Sequence, residues 1–176
     1  EFRYYNYPAG SVSIMVSDLV PAIKNSTVFN YIKLRGSLAS TARSGAPYAN
    51  QSIFNQNIGS GGGWYYGFTN ANPFLSPEKQ KTYEVGTEFR LFNNRLNFDV
   101  TYYNTENTNL IVENFRASYG TGFVLNTLNV GSNKNSGLEI SIDAVPVQTA
   151  DFRWSTRFNF NRMRNEVTEL PSNVPE

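Results

Sequence analysis

The segment KTYEVGTEFRLFNNRLNFDVTYYN, Lys81–Asn104, alternates apolar and polar residues on either side of a central Asn93–Asn94 pair. Tyr83, Val85, Phe89 and Leu91 fall on one face and are answered by Leu96, Phe98, Val100 and Tyr102. Glu84, Glu88 and Arg90 fall on the other, answered by Asn97, Asp99 and Thr101. Side chains change face at each residue of a strand, so like faces stay together only in alternate registers. A two-residue turn at Asn93–Asn94 sets Leu91 against Leu96 and Phe89 against Phe98, and asparagine accepts the positive φ such a turn demands. The segment is a β-hairpin, and the fold depends on which face is inside. In this register Glu88 lies across from Asp99. Like charges directly across a ladder repel, at a very high cost in a dry core. The polar face is therefore wet.

The same two-faced pattern recurs. SVSIMVSD sets Val12, Ile14 and Val16 against Ser11, Ser13 and Ser17; YIKLRGSLAS sets Ile32, Leu34 and Leu38 against Lys33, Arg35 and Ser37. GLEISIDAV sets Leu138, Ile140, Ile142 and Ala144 against Glu139, Ser141 and Asp143. DFRWSTRFNFNR sets Phe152, Trp154, Phe158 and Phe160 against Arg153, Ser155, Arg157, Asn159 and Asn161. With the hairpin this makes about six strands, none with the continuous apolar run of a parallel strand buried on both sides. The last two form a second hairpin across PVQTAD, for which one register pairs Asp143 with Arg153 and Glu139 with Arg157.

The connections add a second signal. The links at Asn93–Asn94 and Val147–Ala150 are short, and the one through LVPAIKNSTVFN is intermediate. The segments at about 41–78 and 106–134 are long, and both fall on the same edge of an up-and-down sheet. Long loops are uncommon in compact domains, whereas outer-membrane barrels combine short periplasmic turns with long extracellular loops. Strands of about 11 residues, tilted by about 45°, match the roughly 25 Å apolar band of such barrels. Aromatics near strand ends, Phe92, Tyr102–Tyr103 and Phe152–Trp154, stand where interfacial girdles lie.

The expected fold is all-β: an antiparallel up-and-down transmembrane β-barrel. Its lipid-facing residues are Val85, Phe89, Leu91, Phe98, Val100, Tyr102, Ile140, Ile142, Trp154 and Phe158. Its lumen-facing polar residues are Glu84, Glu88, Arg90, Asp99, Glu139, Asp143, Arg153 and Arg157. Alternating strands also build soluble sandwiches, whose apolar faces point inward. Against that reading, all six strands keep their two faces.

Composition excludes several functions. Among 176 residues there is no Cys and no His, which removes thiol catalysis, disulfides, His-based triads and zinc sites with sulfur or imidazole ligands. A net charge of +1 provides no field for nucleic acid. Charged residues make up 16% of the chain, against about a quarter in soluble domains, and aromatics 15%. No apolar run approaches the roughly 20 residues of a membrane helix, and EFRYYNYPAG has no signal-segment pattern. The pattern starts and stops mid-course, as in a piece of something longer.

The stretch LSPEKQKTYEVGTEFRLFNNRLNFDVTYYNTENTNLI resembles barrel strands of SusC-type TonB-dependent outer-membrane transporters of Bacteroidota. The resemblance lies in Leu75-x-Pro-Glu78, Glu84-Val85-Gly86, Asn94-Arg95-Leu96 and Tyr102-Tyr103-Asn104. It continues through Asn129-x-Gly131, Asn135-x-Gly137-Leu138-Glu139, NYIKLRGSLAS and DFRWSTRFNFNRMRNEV, from about Asn30 to Leu170. It implies a plugged barrel of about 22 strands in the Gram-negative outer membrane. The implied activity is import driven by the TonB complex, with a SusD-like surface lipoprotein as lid and an oligosaccharide or peptide as substrate. Residues 1–176 would be part of that barrel, without the plug or the TonB-contacting segment. No cofactor is implied, and no enzyme. The alternatives are a barrel serving as a receptor or envelope-assembly component, or a soluble β-sandwich carbohydrate-binding or adhesin module.

Trp64, Tyr65 and Tyr66, in the glycine-rich NIGSGGGWYYGF, are candidate ligand-binding residues, because flat rings with polar edges suit sugars and glycines allow close approach. Packing against neighbouring loops, the lid or the headgroup region is the simpler explanation of them, and Tyr48, Tyr119 and Phe123 are weaker candidates. Glu84, Glu88 and Asp99 could imitate a glycosidase carboxylate pair, but a wet polar face accounts for them. Asp99, Asn97 and Glu88 could be proposed as calcium ligands but show no calcium-loop spacing, so no metal is assigned. GSGGG lacks the lysine and helix of a phosphate loop, and Arg162–Glu166 reads as a solvated strand end.

Overall fold

The computed structural model describes residues 4–24, 26–59, 61–116 and 125–170. Its strands are β1 (Ala9–Met15), β2 (Phe29–Arg43), β3 (Phe54–Gln56), β4 (Trp64–Tyr66), β5 (Thr69–Asn70), β6 (Glu78–Leu91), β7 (Leu96–Thr108), β8 (Ile111–Phe115), β9 (Leu125–Asn129), β10 (Ser132–Gln148) and β11 (Arg153–Glu169). Two short helices, α1 (Val16–Leu19) and α2 (Pro21–Lys24), lie between β1 and β2. The long strands form one six-stranded sheet in the order β1-β2-β6-β7-β10-β11, so each neighbours the next long strand of the chain. β3–β4 and β5-β9-β8 form two small sheets.

The chain divides into two units. The first comprises Glu1–Ser40, Lys81–Glu106 and Lys134–Glu166; the second comprises Thr41–Gln80, Asn107–Asn133 and Val167–Glu176. The first holds most of the six-stranded sheet. The second holds the loop segments and the strand ends leading into them.

The central hairpin closes as its alternation requires. Phe92, Asn93 and Asn94 have φ of 54°, 55° and 64°, and the Arg95 amide donates to the Phe92 carbonyl at 3.2 Å. The turn therefore takes four residues, Phe92–Arg95, centred on the Asn pair without being the two-residue turn expected; the Phe92 amide bonds instead to the Val28 carbonyl at 2.9 Å. Leu91 and Leu96 form the next rung. The same register brings the Thr82 and Thr105 hydroxyls to 3.2 Å.

Three further expectations are corrected. Val16 and Ser17 do not extend the first strand, because the backbone turns into α1 and the Val20 amide bonds to the Val16 carbonyl. The second hairpin does not pair Asp143 with Arg153 or Glu139 with Arg157; Arg157 bonds to Asp143, and Asn161 to Glu139. At the turn the amide and hydroxyl of Thr149 both bond to the Phe152 carbonyl. Finally, β2, β6, β7, β10 and β11 contain 15, 14, 13, 17 and 17 residues rather than about 11. They run beyond the apolar band. In β6 that band reaches from Tyr83 to Leu91, about 27 Å at roughly 3.4 Å per residue. Past it, the same alternation carries Lys81 on β6, Glu106 on β7, Lys134 on β10 and Arg162, Arg164 and Glu166 on β11. Lys134–Glu106 and Arg164–Glu166 form ion pairs at 3.7 and 3.3 Å.

Among the described residues no hydrophobic side chain is fully buried. Val85 is 65% exposed, Phe158 59% and Trp154 53%, all on the apolar face of the sheet. A sandwich would cover that face with a second layer. The soluble-sandwich alternative therefore has no counterpart in this structure.

The polar face is close-fitted at two buried glycines. A Cβ on Gly86 would stand 2.6 Å from Arg35 Nε, and one on Gly137 would stand 2.5 Å from Tyr103 Cζ. Tyr103 thus spreads over Gly137 on the polar face rather than joining Tyr102 in a girdle. Glycine within a strand marks such close approaches. Gly137→Ala should displace the Tyr103 ring and destabilise the protein by about 1–3 kcal/mol, read by denaturant unfolding in detergent. Gly10→Ala, with nothing within 4 Å of the added Cβ, should stay within about 0.5 kcal/mol. Adding Tyr103→Ala to Gly137→Ala should recover part of the loss.

Candidate functional site

The polar face holds its charges in pairs. Arg35, on β2, reaches across Gly86 to Asp99 on β7, with Nη2–Oδ1 at 2.6 Å and Nη1–Oδ2 at 3.1 Å. The same guanidinium donates to the Thr101 hydroxyl at 2.6 Å. Glu88, across from Asp99, takes Arg90 at 2.7 Å, and Arg90 also lies 4.6 Å from the centroid of the Tyr31 ring. Separate guanidinium partners thus resolve the like-charge rung read from the sequence. Glu84 accepts from Ser37 at 3.4 Å, and Arg157 pairs with Asp143. Arg153 lines an open cleft of about 470 Å³ with Asn94, Asn97, Asp143 and Arg157. These carboxylates are partnered or open to solvent, an arrangement that binds water and counter-charges. Among the described residues no group of acidic side chains could hold a metal ion.

On the opposite face Val85, Tyr102, Trp154 and Phe158 are exposed, while Phe89, Leu91, Phe98, Val100, Ile140 and Ile142 are half-buried among neighbours of their own sheet.

In the second unit, side chains tie the strand ends together. Asn129 uses both ends of its amide. Its Oδ1 accepts from the Ser76 amide at 2.8 Å and the Ser76 hydroxyl at 3.3 Å. Its Nδ2 donates to the carbonyls of Ser76 at 2.7 Å and Asn109 at 2.9 Å. The side chain thereby imitates a β-bridge to one segment and reaches a second. Glu78 accepts from the Ile111 amide at 2.8 Å and pairs with Arg43 at 3.3 Å. Ser132 donates to Glu169 at 3.0 Å. Gly131 has a φ of 77°, and a Cβ there would meet the Glu169 carbonyl at 2.7 Å. The sequence contained Leu75-x-Pro-Glu78 and Asn129-x-Gly131 as recognisable motifs, but not this role. Their position at strand–loop junctions was the available signal.

The aromatic candidates divide. β3 and β4 pair Phe54 with Tyr66, Asn55 with Tyr65 and Gln56 with Trp64. Cross-strand partners and alternate residues share a face, so Phe54, Gln56, Trp64 and Tyr66 lie together and Tyr65 lies opposite. The Phe54 and Tyr66 rings are 4.4 Å apart, and Trp64 is 69% exposed. The glycines serve the turn: Gly61 and Gly62 have φ of 79° and 75°, and the Asn57 amide bonds to the Gly63 carbonyl at 2.8 Å. Tyr48 is exposed; Tyr119 and Phe123 lie outside the described residues.

Residues 4–175 match the family described as TonB dependent receptor-like, beta-barrel. The chain belongs to this family of outer-membrane β-barrels. It is 31% identical over 173 residues to a TonB-dependent receptor of Formosa agariphila, covering 94% of this chain and 16% of that protein. It is 33% identical over 113 residues to the TonB-dependent receptor SusC of Bacteroides thetaiotaomicron, covering 62% of this chain and 11% of SusC. The solved structure of the RagAB peptide transporter superposes with a TM-score of 0.83 at 27% identity, over 96% of this chain and 18% of the RagAB chain. The chain thus spans less than a fifth of the length of these relatives.

Within a TonB-dependent receptor barrel, the six-stranded sheet is a run of consecutive wall strands, and the ties at Asn129 and Glu78 hold the loop segments to one another. Asn129→Ala removes four hydrogen bonds, each worth about 1 kcal/mol. It should increase protease cleavage within residues 44–77 by about tenfold or more in the full-length receptor. The barrel's heat-dependent gel shift should not change.

Proposed function

We propose that this chain is wall and loop of a SusC-like importer that takes up a nutrient too large for porins across the Gram-negative outer membrane. The observation that carries the reading is the two-faced sheet. Its apolar face has no protein cover among the described residues, and its polar face holds paired charges suited to a wet lumen. The residues that face lipid are then Val85, Phe89, Leu91, Phe98, Val100, Tyr102, Ile140, Ile142, Trp154 and Phe158. Those facing the lumen are Glu84, Glu88, Arg90, Asp99, Glu139, Asp143, Arg153 and Arg157. The segments between β2 and β6 and between β7 and β10 are extracellular.

Transport is active and draws its energy through the TonB complex. A SusD-like lipoprotein covers the extracellular mouth. The substrate is an oligosaccharide or a peptide; similarity to SusC favours this lid architecture, and similarity to the RagAB peptide transporter keeps peptides in view. The chain does no covalent chemistry.

In cells carrying the full-length receptor, uptake of labelled substrate should stop when the proton-motive force is collapsed or the TonB complex is removed, while surface binding persists. Undiminished uptake would mean a passive pore. Binding with no uptake under any condition would favour the receptor or envelope-assembly alternative.

A further inference from the structure

Between Arg43 and Glu78 lie 34 residues without a single Asp, Glu, Lys or Arg. The same stretch contains seven Asn or Gln and seven aromatic residues. Segments of polar surface normally carry charge, since about a quarter of residues in soluble domains are charged. A charge-free surface rich in amides and rings is suited to a ligand that is neutral, flat on one side and dense in hydroxyl groups.

The fold gathers these residues on the β3–β4 hairpin. Trp64 presents most of its ring to solvent with the Gln56 amide directly across the ladder, and Tyr66, leaning on Phe54, occupies the next position on that face. Beside the hairpin, Gln51, Ser52, Asn55, Tyr66, Phe68 and Thr69 line a cleft of about 270 Å³. Rings supply apolar area against the C–H face of a pyranose, while amides and hydroxyls exchange hydrogen bonds with its edge. A peptide brings charged termini and often charged side chains, and residues 44–77 offer no counter-ion for them.

We propose that the face formed by Trp64, Gln56, Tyr66 and Phe54 is a binding subsite for a neutral oligosaccharide, with Trp64 stacking on one sugar ring. The inference rests on the importer reading and names its substrate class. It divides the three aromatics expected to act together: Trp64 and Tyr66 contact the sugar, and Tyr65, on the reverse face, does not.

The test uses the full-length receptor purified in detergent with any co-purifying lipoprotein. Calorimetric titration is run with maltohexaose, cellohexaose, xylohexaose and mannohexaose, and with an unblocked alanine hexapeptide. At least one hexaose should bind. Trp64→Ala should weaken that binding about tenfold or more, the loss of one stacking contact. Trp64→Phe should restore most of it, and Phe74→Ala, at a ring 90% exposed elsewhere in the segment, should leave it unchanged. The proposal is overturned if no hexaose binds, if Trp64→Ala binds as the parent does, or if only the hexapeptide binds and its affinity depends on Trp64. Loss of a co-purified protein from Trp64→Ala with hexaose binding intact would also overturn it, and would assign the face to protein docking. Each failure leaves energy-dependent uptake untouched, so the importer reading stands or falls separately.

Discussion

The constraint on which the rest depends is the strict alternation of the long strands. A β-strand turns successive side chains to opposite faces, so alternation over eight or more residues makes one apolar and one polar surface. With five such strands, β2, β6, β7, β10 and β11, and the shorter β1 side by side, the result is a wall. The wall has no hydrophobic side chain buried within it among the described residues, so its apolar face needs a cover that this protein segment does not supply. In an outer-membrane barrel the cover is lipid, and closure of the sheet removes the exposed edges.

The polar face follows from the same geometry. Once charges project into a wet space they need partners but not burial, and Arg35–Asp99, Glu88–Arg90 and Asp143–Arg157 supply them. Exposed pairs of this kind contribute little to stability, because water screens them and holding two long side chains costs entropy. Their value is in fixing which strands and residues face each other. Gly86 and Gly137 make room for two large side chains, Arg35 over one strand and Tyr103 over another. A glycine at a polar-face position of an otherwise regular strand is a mark of that crossing.

The second unit solves a different problem. Long loops leave backbone amides and carbonyls without ladder partners, and such groups must find others. Asn129 and Glu78 meet that need at the strand ends, where a primary amide can satisfy a neighbouring backbone on both sides at once. The charge-free stretch between Arg43 and Glu78 is thereby anchored at its ends, and its hairpin carries the exposed rings.

Sequence alone determined the six strands of the main sheet, their faces and the place of the central turn, because those depend on local rules: period-two alternation and the tolerance of Asn93 and Asn94 for positive φ. It also made the family legible, through motifs at the strand–loop junctions. It missed the short strands β3, β4, β5, β8 and β9 inside the long connections. The tertiary structure alone decided what those motifs do, since Asn129 meets Ser76 across 53 residues and Arg35 meets Asp99 across 64. It decided the second hairpin too, where Asp143 meets Arg157 and not the Arg153 that charge matching had selected. Several registers there keep like faces together, so the alternation could not choose between them. It likewise separated Tyr65 from Trp64 and Tyr66, because which rings share a face depends on whether that short run is a strand, and only its pairing with Phe54–Gln56 makes it one.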